Sequence, residues 1–163
     1  AFGSGEHGST RVALTLLEQL LQPAQRVLDL GSGSGILAIA AVKLGAARAI
    51  GIETDPEANS VALRNAGRNG VAGRTEFLEG DAGVLAPLIG PAGLILSNIL
   101  RTANTALLPA IIHALEPGGV VIFSGMERAE ASEFRQALRA AGFDSVQEAL
   151  DSGWWGVAAR PPE

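Results

Sequence analysis

The amino-acid sequence predicts an α/β fold, doubly wound, with a seven-stranded and mostly parallel sheet whose last strand is antiparallel. Three observations carry that expectation. Short apolar runs alternate with helical apolar spacing along the whole chain, the pattern of successive strand-helix-strand units with right-handed crossovers. The stretch Val27-Leu28-Asp29-Leu30-Gly31-Ser32-Gly33-Ser34-Gly35 passes from a buried apolar run through alternating glycines directly into a helical pattern over 36–44. Only Asp151-Ser152-Gly153 separates the last two strand patterns, a link too short for a parallel crossover, so the final strand has to reverse.

Composition narrows the function classes. The 163 residues, 47% of them hydrophobic, suffice for one domain with a substantial core. A formal net charge of −5 argues against a surface built to bind nucleic acid directly, although a local basic patch stays open. Cysteine is absent and only two histidines occur, so neither a disulfide framework nor a metal site is expected. The chain carries no apolar stretch long enough for a bilayer and no secretory pattern, so no membrane partner is expected and the cytoplasm is the expected compartment. It begins at Ala1, as expected of a processed chain or of a piece of a longer one.

Taken in order, the glycine-rich opening over 1–10 reads as a loop entering a helix, with Ser9 or Thr10 as its N-cap and Pro23 as its stop. The central strand at Val27 follows, then the helix over 36–44 with Gly45 as its end, and a second strand over 49–52 that reaches Glu53. Asp55-Pro56 places an N-cap before a first-turn proline, and this helix should run to about Asn69, weakened by Gly67 and stopped by Gly70. A third strand over 75–78 meets Gly80-Asp81, and the segment 84–89 is ambiguous between helix and loop. Leu94-Ile95-Leu96 makes a fourth strand ending in Ser97-Asn98-Ile99-Leu100. Thr102 is the expected cap of the next helix, which Pro109 should kink or delay. Pro117-Gly118-Gly119 reads as a turn, 120–123 as a fifth strand, 129–141 as a helix, 143–149 as a sixth strand and 154–159 as the last.

The strand ends at 29–35, Glu53, Gly80-Asp81 and Ser97-Asn98 all fall on the carboxyl edge of such a sheet, where doubly wound folds bind ligands. Their conjunction points to a nucleotide-like ligand far more strongly than the glycine turn alone. Glu53 stands 22 residues beyond Gly31, a spacing that sets a two-oxygen acceptor against the hydroxyls of a ribose, or leaves a solvated strand-end acid. An acid there suits nicotinamide-dependent dehydrogenases and S-adenosylmethionine-dependent methyltransferases alike. The glycines separate them: a dinucleotide fingerprint puts a small residue where this chain has Ile36, which crowds the approach that pyrophosphate uses.

At this point the sequence resembles a known family. The 27–35 stretch resembles motif I of class I S-adenosylmethionine-dependent methyltransferases, whose fold is Rossmann-like. Ala1-Phe2-Gly3-Ser4-Gly5-Glu6-His7-Gly8-Ser9-Thr10, Gly35-Ile36-Leu37-Ala38-Ile39-Ala40-Ala41, Lys43-Leu44-Gly45-Ala46 and Ser97-Asn98-Ile99-Leu100 resemble PrmA-type enzymes, which methylate a large-subunit ribosomal protein. The resemblance implies S-adenosyl-L-methionine as cofactor and a ribosomal protein amine as acceptor. It implies cofactor contacts at Thr10, Gly31, Glu53 and Asn98, with Asp81 toward the adenine amino group; Asp29, Ser32 and Gly33 belong to the same motif. Ser4 and Ser9 stand where the family usually has threonine, Glu53 where aspartate is usual, and Ser97 where alanine is usual. The family resembles a two-domain enzyme. Residues 1–163 correspond to its methyltransferase domain, and the N-terminal substrate-recognition domain is expected to be absent.

Other residues keep bland alternatives. Asn98 either caps the following helix or, by its context, holds an incoming amine beside the cofactor, since an amide both donates and accepts; on the second reading it is the catalytic candidate. No Pro-Pro-aromatic run follows it, which argues against nucleic-acid bases or glutamine as acceptors. His7 either orders the glycine loop or removes a proton and is not assigned. Trp154 and Trp155 read as packing, and Arg135 and Arg139 as a solvated helix face. The function expected is methyl transfer to a protein amine. A small-molecule N-methyltransferase, a cofactor-binding fragment without activity of its own, and a dehydrogenase are the rivals.

Overall fold

The computed structural model describes residues 4–163, with side chains from Gly8 onward. Its elements are α1 (Ser4–Leu20), β1 (Arg26–Leu30), α2 (Ile36–Lys43), β2 (Arg48–Glu53), α3 (Pro56–Arg68), β3 (Thr75–Glu79), α4 (Ala82–Ile89), β4 (Ala92–Asn98), α5 (Arg101–Ala114), β5 (Leu115–Glu127), α6 (Ala131–Ala140), β6 (Asp144–Asp151) and β7 (Trp154–Arg160). The strands form one sheet in the order β3-β2-β1-β4-β5-β7-β6. Only β7 runs against its neighbours. Ser152 and Gly153, both at positive φ (53° and 83°), close its hairpin, the geometry that matches the twist of paired strands.

Side-chain alternation along the strands divides the core into two layers. On one face Val27, Ala49, Leu94, Leu96 and Ile122 pack against Leu16 and Leu17 of α1, Leu37 of α2 and Ala66 of α3. On the other, Leu28, Ile50, Ile95, Val121 and Phe123 meet Leu108 and Ile111 of α5 and Phe134 and Leu138 of α6. Because β1 lies mid-sheet, between β2 and β4, it buries apolar side chains on both faces, Val27 on one and Leu28 and Leu30 on the other, with Asp29 the buried exception. Among the described residues no helix is long and apolar enough to cross a membrane.

Several boundaries differ from expectation. Helix α1 already includes Ser4, so neither Ser9 nor Thr10 caps it; Gly8 packs so close to the Trp154 ring that a side chain there would strike it. The expected loop over Ala1-Phe2-Gly3 and the side chain of His7 lie outside the described residues. The ambiguous segment is the helix α4, capped by Asp81, whose Oδ1 accepts from the Gly83 N–H at 2.7 Å. Leu100, not Thr102, precedes α5, and Pro109 lies inside that helix without delaying it. Pro117-Gly118-Gly119 is no free turn but an irregularity inside β5: Ala92 pairs with Leu115 while Leu94 pairs with Val120. A 3-10 turn over Arg128–Glu130 occupies the start expected for α6.

Candidate active site

At the carboxyl end of β1 the chain continues its pairing beyond the strand: the N–H groups of Gly31 and Ser32 donate to the Ile52 carbonyl at 2.8 and 3.1 Å. The turn then needs the left-handed region at Gly31, where φ is 69°. A Cβ there would lie 2.7 Å from Ile99 Cγ2, so the glycine also lets the loop after β4 pack directly against this turn. The Ser34 carbonyl accepts from Asn65 Nδ2 of α3 at 3.0 Å, which pins the far end of the turn.

Glu53 closes the next strand. Its Oε1 accepts from the Gly33 N–H and its Oε2 from the Asp55 N–H, both at 3.0 Å. Asn59 of α3 donates to the Glu53 carbonyl at 3.2 Å, and Asp55 caps α3 through the Glu57 N–H, so the carboxylate is held from the turn and from the helix start together. Beneath it lies Asp29, 2% exposed. Burial pushes its carboxyl up to about 7; the Ala38 N–H in the first turn of α2 opposes that shift, and the nearby charge of Glu53 adds to it.

Two cavities open on either side of Glu53. One, of about 430 Å³, is walled by Gly31, Glu53, Asp81, Ile99, Ala103 and Leu107 among others. The second, of about 390 Å³, is bounded by Gly33, Ser34, Glu53, Asp55, Glu57 and Val61. Each lies within the size range of small-molecule sites. Gly31, Gly33, Glu53 and Asp81 therefore meet around one carboxylate, while Asp29 and Ser32 are buried. Asn98 ends β4, one residue before the cavity wall at Ile99, and its Oδ1 is shielded from solvent without a hydrogen-bond partner. Thr10 is half-buried on α1 and lines neither cavity.

Residues 1–161 match the family model described as ribosomal protein L11 methyltransferase (PrmA). The chain belongs to the PrmA family. It is 42% identical over 160 residues to the ribosomal protein L11 methyltransferase of Pelotomaculum thermopropionicum, covering 98% of this chain and 51% of that protein. It is 44% identical over 154 residues to that of Thermus thermophilus, covering 94% and 59%. The chain thus spans about half the length of the curated relatives it matches. Among solved structures, the ribosomal protein L11 methylase of Lactobacillus delbrueckii subsp. bulgaricus superposes with a TM-score of 0.89 at 32% identity, over 98% of this chain and 81% of that one. An RNA methyltransferase from Salinibacter ruber in complex with S-adenosyl-L-homocysteine gives 0.75 at 25% identity, over 100% and 95%. The sheet is that of a class I methyltransferase, Rossmann-like and doubly wound.

In this PrmA-family chain the cavity also uses residues that sequence reasoning left without a role. Ile99, Ala103 and Leu107 supply an apolar wall, and the spacing of the last two along α5 was the available signal. Asn104, fully buried, was missed; an asparagine on the same helix face as Leu108 and Ile111 is the pattern that marks it. Among the described residues no group of three His, Cys, Asp or Glu side chains could hold a metal ion.

Proposed function

We propose that this chain is the S-adenosyl-L-methionine-binding, methyl-transferring unit of a protein N-methyltransferase whose substrate is a large-subunit ribosomal protein. The observation that carries the reading is the double cavity around Glu53, on the carboxyl edge of a chain that belongs to the PrmA family. The residues fit the cofactor. Glu53 offers two acceptor oxygens to ribose hydroxyls, Gly31 leaves bare backbone exposed on the cavity wall, and Asp81 keeps Oδ2 for an amino group while Oδ1 caps α4. The apolar wall of Ile99, Ala103 and Leu107 suits the face of a heterocycle. Thr10, on α1 and outside both cavities, enters the cofactor set only through the family resemblance.

When bound, S-adenosyl-L-methionine supplies an electrophilic sulfonium methyl group. The chain's part is to present an unprotonated amine. A lysine amine with an ordinary pKa of about 10.4 has to release its proton, and a partly buried site lowers that value. Asn98 ends β4 beside the cavity wall; its Oδ1, shielded and unpartnered here, has to turn outward to accept an amine N–H and so aim the lone pair along a fixed line. Such a substrate places the protein in the cytoplasm.

Thermal unfolding in the presence of S-adenosylmethionine, S-adenosylhomocysteine and NAD tests the reading. At 100 times its Kd a ligand adds about 2.7 kcal/mol to stability. The first two should raise the midpoint and NAD should not. A shift with NAD alone would identify a dehydrogenase, and methyl transfer to small amines in preference to the ribosomal protein would move the acceptor class.

A further inference from the structure

The loop Asn98-Ile99-Leu100 joins the acceptor side of the site to the cofactor side, and one buried side chain outside both cavities holds it. Asn104 is 0% exposed. Its Oδ1 accepts from the Ser97 hydroxyl at 2.7 Å, while its Nδ2 donates to the Ile99 carbonyl at 3.2 Å and the Ser124 carbonyl at 3.1 Å. The Ile99 N–H also donates to the Ser124 carbonyl, at 3.2 Å. The end of β4, the loop and the facing residue of β5 therefore converge on a single amide whose orientation leaves no ambiguity: a hydroxyl donates to its oxygen and two carbonyls accept from its nitrogen.

We propose that Asn104 is a positioning residue for the site, acting through the backbone of Ile99. Resting on the cofactor reading above, the inference is that its two N–H donors fix the height at which the Ile99 side chain faces Gly31 and the angle at which Asn98 is presented. The consequence runs through a packed contact: Ile99 Cγ2 occupies the space a Gly31 side chain would need, so a shift of this backbone changes the cavity directly. Ser97 plays a different part. Its hydroxyl satisfies Asn104 Oδ1 but does not touch the loop beyond it.

Two variants separate positioning from stability. Ser97→Ala leaves both Nδ2 donors in place. Ser97→Ala with Asn104→Leu removes the hydroxyl and the amide together, so neither buried side chain is orphaned; the Ser124 carbonyl keeps the Ile99 N–H, and the Ile99 carbonyl alone loses the donor named above. Amide hydrogen exchange at Ile99, exchange at Leu28 in the central strand, and calorimetric titration with S-adenosylhomocysteine are then compared. The single variant, which orphans the buried Asn104 Oδ1, should lose some protection at Leu28 through global stability but keep the parent's exchange at Ile99 and its affinity. In the double variant Leu28 should keep its protection, while Ile99 exchanges about tenfold faster and the ligand binds about tenfold more weakly, the scale expected from a small misplacement. Unchanged exchange at Ile99, or faster exchange with unchanged affinity, in a folded double variant overturns the proposal. Should the parent chain itself not bind S-adenosylhomocysteine, the cofactor reading fails, and the exchange comparison still decides whether Asn104 holds the loop.

Discussion

Glu53 joins two neighbouring segments before any ligand arrives, since its Oε1 already accepts from the Gly33 N–H and its Oε2 from the Asp55 N–H and, at 3.4 Å, the Thr54 hydroxyl. Glu53→Gln keeps one acceptor oxygen and loses the charge. Affinity for S-adenosylhomocysteine should fall by roughly 10- to 100-fold, equivalent to about 1.5–3 kcal/mol for hydrogen bonds to a charged group, and by more than in Ser32→Ala. Calorimetry on both folded variants checks the order. Asp29, directly below, makes a separate prediction. Its folded carboxyl titrates at about 7 against an ordinary 3.8 in the unfolded chain, so between those values the folded state holds a proton that the unfolded state has released. The stability from this group is full below pH 3.8 and is lost as pH rises through 7, at up to about 1.4 kcal/mol per pH unit. Asp29→Asn, which keeps an acceptor for the Ala38 N–H, should lack that slope. Urea titrations at pH 4.5, 6 and 7.5, as test conditions spanning the titration range, would show the parent losing stability relative to Asp29→Asn as pH rises, with the variant ahead by the widest margin at pH 7.5.

At the scale of elements, two strand ends share one device: Asp55 and Asp81 each leave a strand and accept from the N–H two residues on, capping α3 and α4. The same arrangement turns backbone toward the cavity, so helix starts and ligand walls are built together. The glycines of neighbouring elements are not equivalent. Gly125 in β5 has φ 86°, and a Cβ there would fall onto the Ile99 backbone, 2.7 Å from its nitrogen. Gly67 in α3 faces open space. Gly125→Ala should therefore destabilise by about 1–3 kcal/mol through backbone strain and weaken ligand binding through Ile99. Gly67→Ala should stabilise by about 0.5–1 kcal/mol with affinity unchanged. Denaturant midpoints with matched titrations would expose any reversal of sign.

Over the whole molecule, the sheet divides the labour between its halves. The β3-β2-β1-β4 half ends in the turns that form the cavities, whereas the β5-β7-β6 half is consolidated by aromatic packing. Phe123 meets Phe134 edge-on at 4.9 Å and Phe143 at 6.4 Å, and Phe134 meets Trp155 at 6.3 Å. Arg135, placed by sequence on a solvated face, instead pairs with Glu148 at 2.6 Å and lies 5.3 Å from the centre of the Trp155 ring, tying α6 to the last hairpin. Phe123→Ala should cost about 3–5 kcal/mol, a large part of the 5–15 kcal/mol typical of a domain. Because Phe123 lines neither cavity, the fraction that stays folded should bind S-adenosylhomocysteine as the parent does, which titration below the unfolding midpoint would reveal.

Local chemistry made much of this legible from sequence alone. The order of strands and helices, the reversal at Ser152-Gly153, the Asp55-Pro56 start of α3 and the acids and glycines at the strand ends each depend on spacing, turn residues or caps within a few positions. Tertiary structure decided what those signals do not contain. The approach of Gly8 in α1 to Trp154 in β7 joins the two ends of the chain, and the entry of Pro117 to Gly119 into β5 depends on pairing with β4. The elevated titration of Asp29 depends on a desolvation that no neighbour in sequence imposes. The role of Asn104 depends on three groups brought from two strands and a loop to one amide. The physical reason is common to all four: contacts between segments distant along the chain set their free energies, and only the packed sheet brings those segments within reach.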